Sequence, residues 1–152
     1  MARATSRPTG SGRTRKAPRL IAGLVPSADG PMTSDMRHAL DERRELIETR
    51  TDAVLDTARD AAEPWTLSLG DPPRDPRKAA AWRRHVRTVA GYRDRYGITE
   101  DTPLVQEPED TAQKIDFACA RSALARSRAI ARQRPTAAER RPVEPDAPNR
   151  RL

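Results

Sequence analysis

Apolar side chains recur at helical spacing over three stretches of the chain, and the first of these extends from about residue 34 to residue 62. Thr33 or Ser34 can cap its N-terminus. At about 100° per residue its apolar positions share one arc, namely Met36, Leu40, Ile47, Val54, Ala58 and Ala61. The acidic positions occupy the opposite arc, namely Asp41, Glu45, Glu48, Asp52, Asp56 and Glu63. This pattern predicts a long amphipathic helix.

The second predicted helix has the clearest end signals in the chain. Asp75 is a suitable N-cap, Pro76 occupies the first helical position, and Gly97 follows the last periodic residue as a stop. Its apolar face consists of Ala79, Trp82, Val86, Val89, Ala90 and Tyr96. Its opposite side carries a basic ridge of Arg77, Arg84 and Arg95, flanked by Arg83 and Arg87. Gly91, inside the helix, costs about 1 kcal/mol relative to alanine.

The third predicted helix runs from about residue 110 to residue 133, after an acidic loop at residues 98–109. Its apolar arc is made mostly of small side chains, namely Phe117, Ala120, Ala123, Leu124, Ile130 and Ala131. A second basic ridge lies beside that arc and contains Lys114, Arg121, Arg128 and Arg132. Elsewhere, Trp65, Leu67 and Leu69 predict one short apolar turn, while the apolar patch at 20–25 is too short to assign. No alternation typical of a β-strand is found.

The predicted fold is all-α: a small bundle or extended hairpin of about three helices over residues 20–134. Residues 1–19 are predicted to be a disordered basic arm, and residues 135–152 a disordered tail rich in proline and arginine. Leu, Ile, Val and Phe together account for only 22 of the 152 residues, which excludes a large core. No apolar run is long enough for a membrane span, and no signal peptide is recognisable, so we expect a cytoplasmic protein.

The formal net charge of +7 is unevenly distributed. Residues 1–19 carry six basic side chains and no acidic one, whereas residues 20–134 are neutral in sum and alternate in blocks of opposite sign. Of the 29 basic residues 26 are arginine, and a GC-rich genome produces such a composition through codon bias. The placement of the arginines must therefore carry any argument for a nucleic-acid partner.

Candidate catalytic groups are scarce. His38 and His85 lack the close spacing of a metal motif and are expected at the surface, and Cys119 is expected to be a packing residue. No glycine-rich phosphate-binding loop is found. Tyr92 and Tyr96 lie beside arginines, but nucleophilic chemistry would also need a base or a metal, so they are expected at the edge of the core. The sequence predicts no enzyme, no cofactor, no metal and no small-molecule substrate.

Several short sequence motifs resemble those of one known protein family. They include Gly23–Pro26, Glu42–Arg50, Pro64–Trp65, Trp82–Arg84 and, most specifically, Tyr92–Ile98. Over residues 20–133 they resemble the C-terminal region of TrwC-like relaxase–helicases, the MobF class found on conjugative elements. Members of that family nick the transfer origin with a tyrosine and a histidine-bound metal, and then unwind the DNA. Tyr92 and Tyr96 do not match those nicking tyrosines, so the resemblance implies an accessory helical part without relaxase or helicase domains.

Packing of the apolar faces predicts that the basic ridge of the second helix and the acidic arc of the first point outward and do not simply neutralise each other. Such a ridge can bind an anionic partner, or it can be a solvated face that needs no partner. The first hypothesis is an accessory module of DNA mobilisation, with phosphate contacts from Arg77, Arg83, Arg84, Arg87, Arg95, Arg121, Arg128 and Arg132. The second is a protein-interaction module that docks on a relaxase, helicase or coupling protein through Glu45, Glu48 and Asp52. The third is a truncated relaxase remnant without a function of its own.

Overall fold

A computed structural model of the chain describes residues 20–133 and is mostly helical there. In order, its elements are β1 (Leu20–Ile21), β2 (Val25–Pro26), α1 (Ser34–Asp60), α2 (Pro64–Leu67), α3 (Pro76–Tyr96) and α4 (Thr111–Arg132). The all-α prediction is confirmed, with three long helices at the expected places. The disorder predicted for residues 1–19 and 135–152 lies outside the described residues.

Side-chain caps fix where the long helices begin. The carboxylates of Asp75 and Asp110 and the hydroxyl of Thr33 each accept a hydrogen bond from the backbone N–H three residues later, at 2.8, 2.9 and 3.2 Å. At the other end of α3, Gly97 has a φ of 60°, the left-handed conformation that ends a helix. The predicted boundaries of α3 are therefore confirmed to the residue.

The helix α3 is the shared partner of α1 and α4, and both neighbours run antiparallel to it. Arg50 near the middle of α1 meets Asp94 at the end of α3, and Asp116 near the start of α4 meets Tyr96. The core that they enclose, together with α2, contains Leu55, Ala58, Trp65, Leu69, Trp82, Val86, Val89, Ala90, Ala123 and Leu124.

The apolar arc predicted for α1 is only partly correct. Of its six members only Ala58 is buried; Leu40, Ile47 and Val54 are half-buried, Met36 is 57% exposed, and Ala61 is exposed and lies beyond the last helical residue. The other two buried positions of α1, Thr51 and Leu55, lie outside the predicted arc. Because Arg50 already lies opposite the last turn of α3, the first four turns of α1 continue past the end of its partner helix. An apolar residue on that overhang has no α3 surface to pack against.

Gly91 is explained by the close approach of α1 to α3. A Cβ atom at this position would lie 3.2 Å from Cγ2 of Thr51 and 3.5 Å from Cδ1 of Leu24. The helix-propensity cost of a glycine is therefore offset by a closer interhelical contact.

The apolar patch at the start of the described chain forms an antiparallel hairpin, β1–β2, which the sequence pattern does not predict. Ala22 and Gly23 in its turn have φ values of 49° and 75°. A Cβ atom on Gly23 would lie only 2.1 Å from the hydroxyl of Thr88, so the hairpin rests on α3 at a point where only glycine fits.

Candidate nucleic-acid interface

The basic ridge of α3 and the acidic arc of α1 meet in a charged seam, defined here as the ion pairs of Arg83 and Arg87 with Asp52 and Asp56. Both terminal nitrogens of Arg83 donate to Asp56 at 2.9 Å, and one of them lies 3.1 Å from Asp52. Arg87 donates to Asp52 at 3.1 Å. The prediction that these ridges point outward and do not neutralise each other is therefore wrong for all four residues.

Helical spacing explains why the seam forms. Asp52 and Asp56 are one turn apart on α1, as Arg83 and Arg87 are on α3, so the pairs match when the helices run antiparallel. A projection of a single helix shows which positions are apolar but not which flank of the apolar arc faces the neighbour. The side chain of Arg87 is only 22% exposed, and Asp52 is 29% exposed.

The charged seam perturbs the pKa of one of its carboxyl groups. Hydrogen bonding to Arg83 holds the pKa of Asp56 below its usual value. Arg50 does the same for Asp94 through two hydrogen bonds of 2.8 and 3.0 Å, which lowers the pKa of that carboxyl. These positive charges are therefore engaged within the fold.

We expect the Asp52–Arg87 pair to show a coupling energy of about 1 kcal/mol in a double-mutant cycle of Asp52→Asn and Arg87→Gln, because the pair is half-buried. Urea denaturation of the four proteins of the cycle measures it. The matched control is the exposed pair of His38 and Glu42 on α1, 3.3 Å apart, for which the coupling should stay below about 0.5 kcal/mol. Equal coupling in the two cycles would show that the seam is not an interface between helices.

Two more of the predicted DNA-contacting arginines have internal partners. Arg95 lies 3.3 Å from Asp116, and Arg128 donates to the backbone carbonyl of Ser68 at 2.7 Å, which fixes the end of α4 to the α2 turn. The other four of the eight predicted arginines are exposed and form no ion pair within residues 20–133. They are Arg77, Arg84, Arg121 and Arg132.

The predicted acidic docking face is also divided. Asp52 belongs to the charged seam, and Glu48 is half-buried beside Leu20 and Arg44. Glu45 is exposed on the part of α1 that overhangs α3. The three acidic residues therefore do not present one uniform surface.

A different cluster of positive charge lies where α3, α4 and the hairpin meet. Here an open groove of about 450 Å³ is lined by Arg84 and His85 from α3 and by Arg126 from α4. We call it the Arg84–Arg126 groove. None of its lining residues within the described chain is acidic; the others are Leu20, Gly23, Thr88, Ala118, Cys119, Ser122 and Ala123.

The positive charge of the groove affects the pKa of its histidine, His85. Burial lowers the pKa of His85, and the positive charges of Arg126 and Arg84 lower it further. The expected surface position of His85 is only partly correct: the residue is half-buried and lines the open groove together with Arg84 and Arg126.

Arg126 is a residue that the sequence reasoning missed. Positions 126 and 128 are about 200° apart on a helix, so Arg126 faces away from the ridge of Arg121, Arg128 and Arg132. Arg126 lies four residues after Ser122, so the two share a helix face. The sequence does not show that this face borders a groove formed with the hairpin and α3.

No protein family, curated protein or solved structure matches the chain.

The two tyrosines belong to the α3–α4 interface. Tyr92 is fully buried, with its ring centroid 6.0 Å from that of Phe117, and Gln113 donates to its hydroxyl at 3.2 Å. Tyr96 is half-buried and donates to the carboxylate of Asp116 at 2.7 Å. Tyr96 thus lies at the edge of the core, as predicted, and Tyr92 lies deeper than predicted.

We expect the ionisation of Tyr96 to be displaced to strongly alkaline pH. Burial and the hydrogen bond to Asp116 raise its pKa to about 12. A raised folded-state pKa means that its stabilising effect is intact below pH 10 and is lost as the pH rises towards 12. Ultraviolet titration of Tyr92→Phe, which leaves one tyrosine, measures it directly. Adding Asp116→Asn should lower the midpoint, and an unchanged midpoint would contradict the assignment.

Two further functions can be checked against the geometry. Within residues 20–133, no group of three or more His, Cys, Asp or Glu side chains is placed to hold a metal ion. Nor does that part of the chain contain a helix with the length and apolar character needed to cross a bilayer.

Proposed function

We propose that the chain is a non-catalytic helical module that binds DNA through phosphate contacts centred on the Arg84–Arg126 groove. The observation that carries this proposal is the convergence of two guanidinium groups on one groove whose described lining contains no carboxylate. Unpaired arginines of this kind are suited to phosphate, which accepts several charge-assisted hydrogen bonds. In this proposal the main contact with DNA is the groove, and not Arg83 and Arg87, which are paired in the charged seam.

Further positive charge adjoins the groove along the sequence and along α3. Leu20 lines the Arg84–Arg126 groove and is joined directly to residues 1–19, which carry six basic side chains and no acidic one. Arg77 lies two helical turns from Arg84, on the same side of α3, and is exposed. A polyanion held at the groove would therefore find a further cationic side chain, Arg77, along α3.

The biological setting of the proposal comes from the resemblance to TrwC-like relaxase–helicases. It suggests that the module acts in DNA mobilisation, alongside a relaxase, helicase or coupling protein. In that setting the module would hold DNA while the catalytic domains act elsewhere.

One observation favours protein docking as a second candidate function. On the part of α1 that overhangs α3, Leu46 is 71% exposed beside Glu45, and Met36 is 57% exposed. An apolar and acidic helix face can dock on a basic surface of a helicase or coupling protein. If Glu45→Lys/Leu46→Asp no longer captures the helicase or coupling protein but keeps its DNA affinity, this candidate is supported.

Fluorescence anisotropy with labelled single- and double-stranded oligonucleotides tests the proposed DNA binding. About four phosphate contacts correspond to a loss of about a hundredfold in affinity between roughly 50 and 200 mM salt. We expect a decrease of that order, with weak dependence on sequence. Absence of binding to both oligonucleotides at low salt would overturn the proposal.

A further inference from the structure

We infer that Arg84, His85, Ser122 and Arg126 form a discrete site for a single phosphate group within the Arg84–Arg126 groove. This inference rests on the proposed function and specifies its central contact: one phosphodiester of the DNA backbone would sit between α3 and α4. The four side chains come from two helices and line one open groove.

The walls of the site are fixed by the fold. On α4, Ala118, Ser122 and Arg126 follow one another at intervals of four residues and therefore lie on one face of the helix. On α3, Arg84 and His85 are adjacent, and the carbonyl of Arg84 accepts a hydrogen bond of 3.2 Å from Thr88. Side chains with hydrogen-bond donors from two helices thus line the same groove.

The hairpin forms part of the groove wall. Gly23 rests against Thr88 so closely that a Cβ atom would lie 2.1 Å from the hydroxyl, and Leu20 lines the groove beside it. The groove is open to solvent, and Arg84, Ser122 and Arg126 are exposed along it. A phosphate can therefore enter it while the rest of a nucleic-acid strand stays outside.

The chemistry of the lining fits a tetrahedral dianion or a phosphodiester better than a carboxylate or a cation. Two guanidinium groups supply charge and fork-shaped pairs of N–H donors, and the Ser122 hydroxyl and the His85 imidazole supply single donors. No residue of the described lining carries a negative charge that would oppose an anion.

His85 gives the site a pH dependence. The charged and titratable groups that line the groove around it are Arg84 on its own helix and Arg126 and Cys119 on α4, whereas the hairpin contributes none. Burial and the two arginines lower the pKa of His85, so its positive form is disfavoured in the empty site. A bound phosphate reverses that balance, and phosphate affinity should therefore increase as the pH falls and His85 becomes protonated.

The chain contains two histidines, so each imidazole can be followed separately by NMR. We would add inorganic phosphate, and in a second series an unlabelled single-stranded oligonucleotide, to the full chain at pH 6.5. The C2 proton of His85 should shift saturably in both series, while that of His38, exposed on α1, serves as the internal reference. In Arg126→Gln the apparent dissociation constant for phosphate should rise about tenfold. Arg121→Gln, on the far side of α4, is the matched control and should leave it unchanged.

The outcomes separate this inference from the proposed function. If the C2 proton signal of His85 shifts no more than that of His38 in both series while anisotropy still reports DNA binding, the proposed DNA binding stands and the phosphate site is wrong. If His85 responds to inorganic phosphate but the oligonucleotide does not bind, the phosphate site stands and DNA is not its source. If neither titration moves His85 and anisotropy detects no binding, both are overturned.

Discussion

Replacing Arg93 by alanine should lower the free energy of unfolding by about 3–5 kcal/mol, because four backbone carbonyls would lose a buried, charged hydrogen-bond donor. The residue is only 5% exposed. Its guanidinium donates to four backbone carbonyls of the loop after α3: Thr102 at 2.5 Å, Glu100 at 2.8 Å, and Ile98 and Pro103 at 3.3 Å. One side chain thus provides hydrogen-bond donors for four carbonyls of the acidic loop.

A second contact holds the guanidinium in place. Arg93 lies over the ring of Trp65 at 4.6 Å, and the indole N–H of Trp65 donates to Glu63 at 2.6 Å. Burial lowers the pKa of Arg93, yet Glu63, Glu100 and Asp101 oppose that shift. The loop, α2 and α3 are therefore joined through one residue.

Urea denaturation of Arg93→Ala measures this effect, and Arg84→Ala is the matched control on the same helix. Arg84 is exposed and makes no ion pair within residues 20–133, so its replacement should change stability by less than about 0.5 kcal/mol. Arg93→Lys should recover only part of the loss, because an ammonium group cannot reproduce the planar fork of donors. A loss of less than about 1 kcal/mol in the unfolding free energy of Arg93→Ala would contradict the conclusion that Arg93 joins the loop, α2 and α3.

The second large effect is expected for Trp82→Ala, which should cost about 3–5 kcal/mol because it empties the centre of a small core. Trp82 is 2% exposed and packs with residues of α1, α2 and α4 in one cluster. Its indole N–H donates to the carbonyl of Leu69 over 3.4 Å, a long hydrogen bond, so packing accounts for most of the stabilisation.

Thermal and urea unfolding followed by circular dichroism compare Trp82→Ala with two variants. Trp82→Phe keeps an aromatic ring and should lose about 1–2 kcal/mol, less than alanine. Leu67→Ala removes a large apolar side chain that is 75% exposed and should change stability by less than about 0.5 kcal/mol. Equal losses in Trp82→Ala and Leu67→Ala would contradict the placement of the core.

The helices of this chain could be predicted because their ends are coded locally. Asp75 and Gly97 act through the backbone conformation of a few neighbouring residues, and no knowledge of the rest of the fold is needed to recognise them. The burial of Trp82 likewise follows from its position on the apolar face of one helix. These features required only the period of the pattern.

The candidate site could not be predicted in the same way because it depends on which helix faces meet. The charged seam places Arg83 and Arg87 against carboxylates some 30 residues away in the sequence, and a single-helix projection contains no information about that pairing. Arg126 gains its significance only through the hairpin and α3. Arg93 resembles its exposed neighbours in sequence, although the loop after α3 folds back over it.

The most direct test of this account compares two double variants with the same change in net charge, Arg84→Gln/Arg126→Gln and Arg83→Gln/Arg87→Gln. Their affinities for one labelled oligonucleotide would be measured by anisotropy at low salt, with circular dichroism to verify that both remain folded. The structure predicts a loss of about tenfold or more for the first variant and less than about twofold for the second, whose arginines are engaged with Asp52 and Asp56. An equal or larger loss in the second variant would contradict the assignment of DNA binding to the Arg84–Arg126 groove.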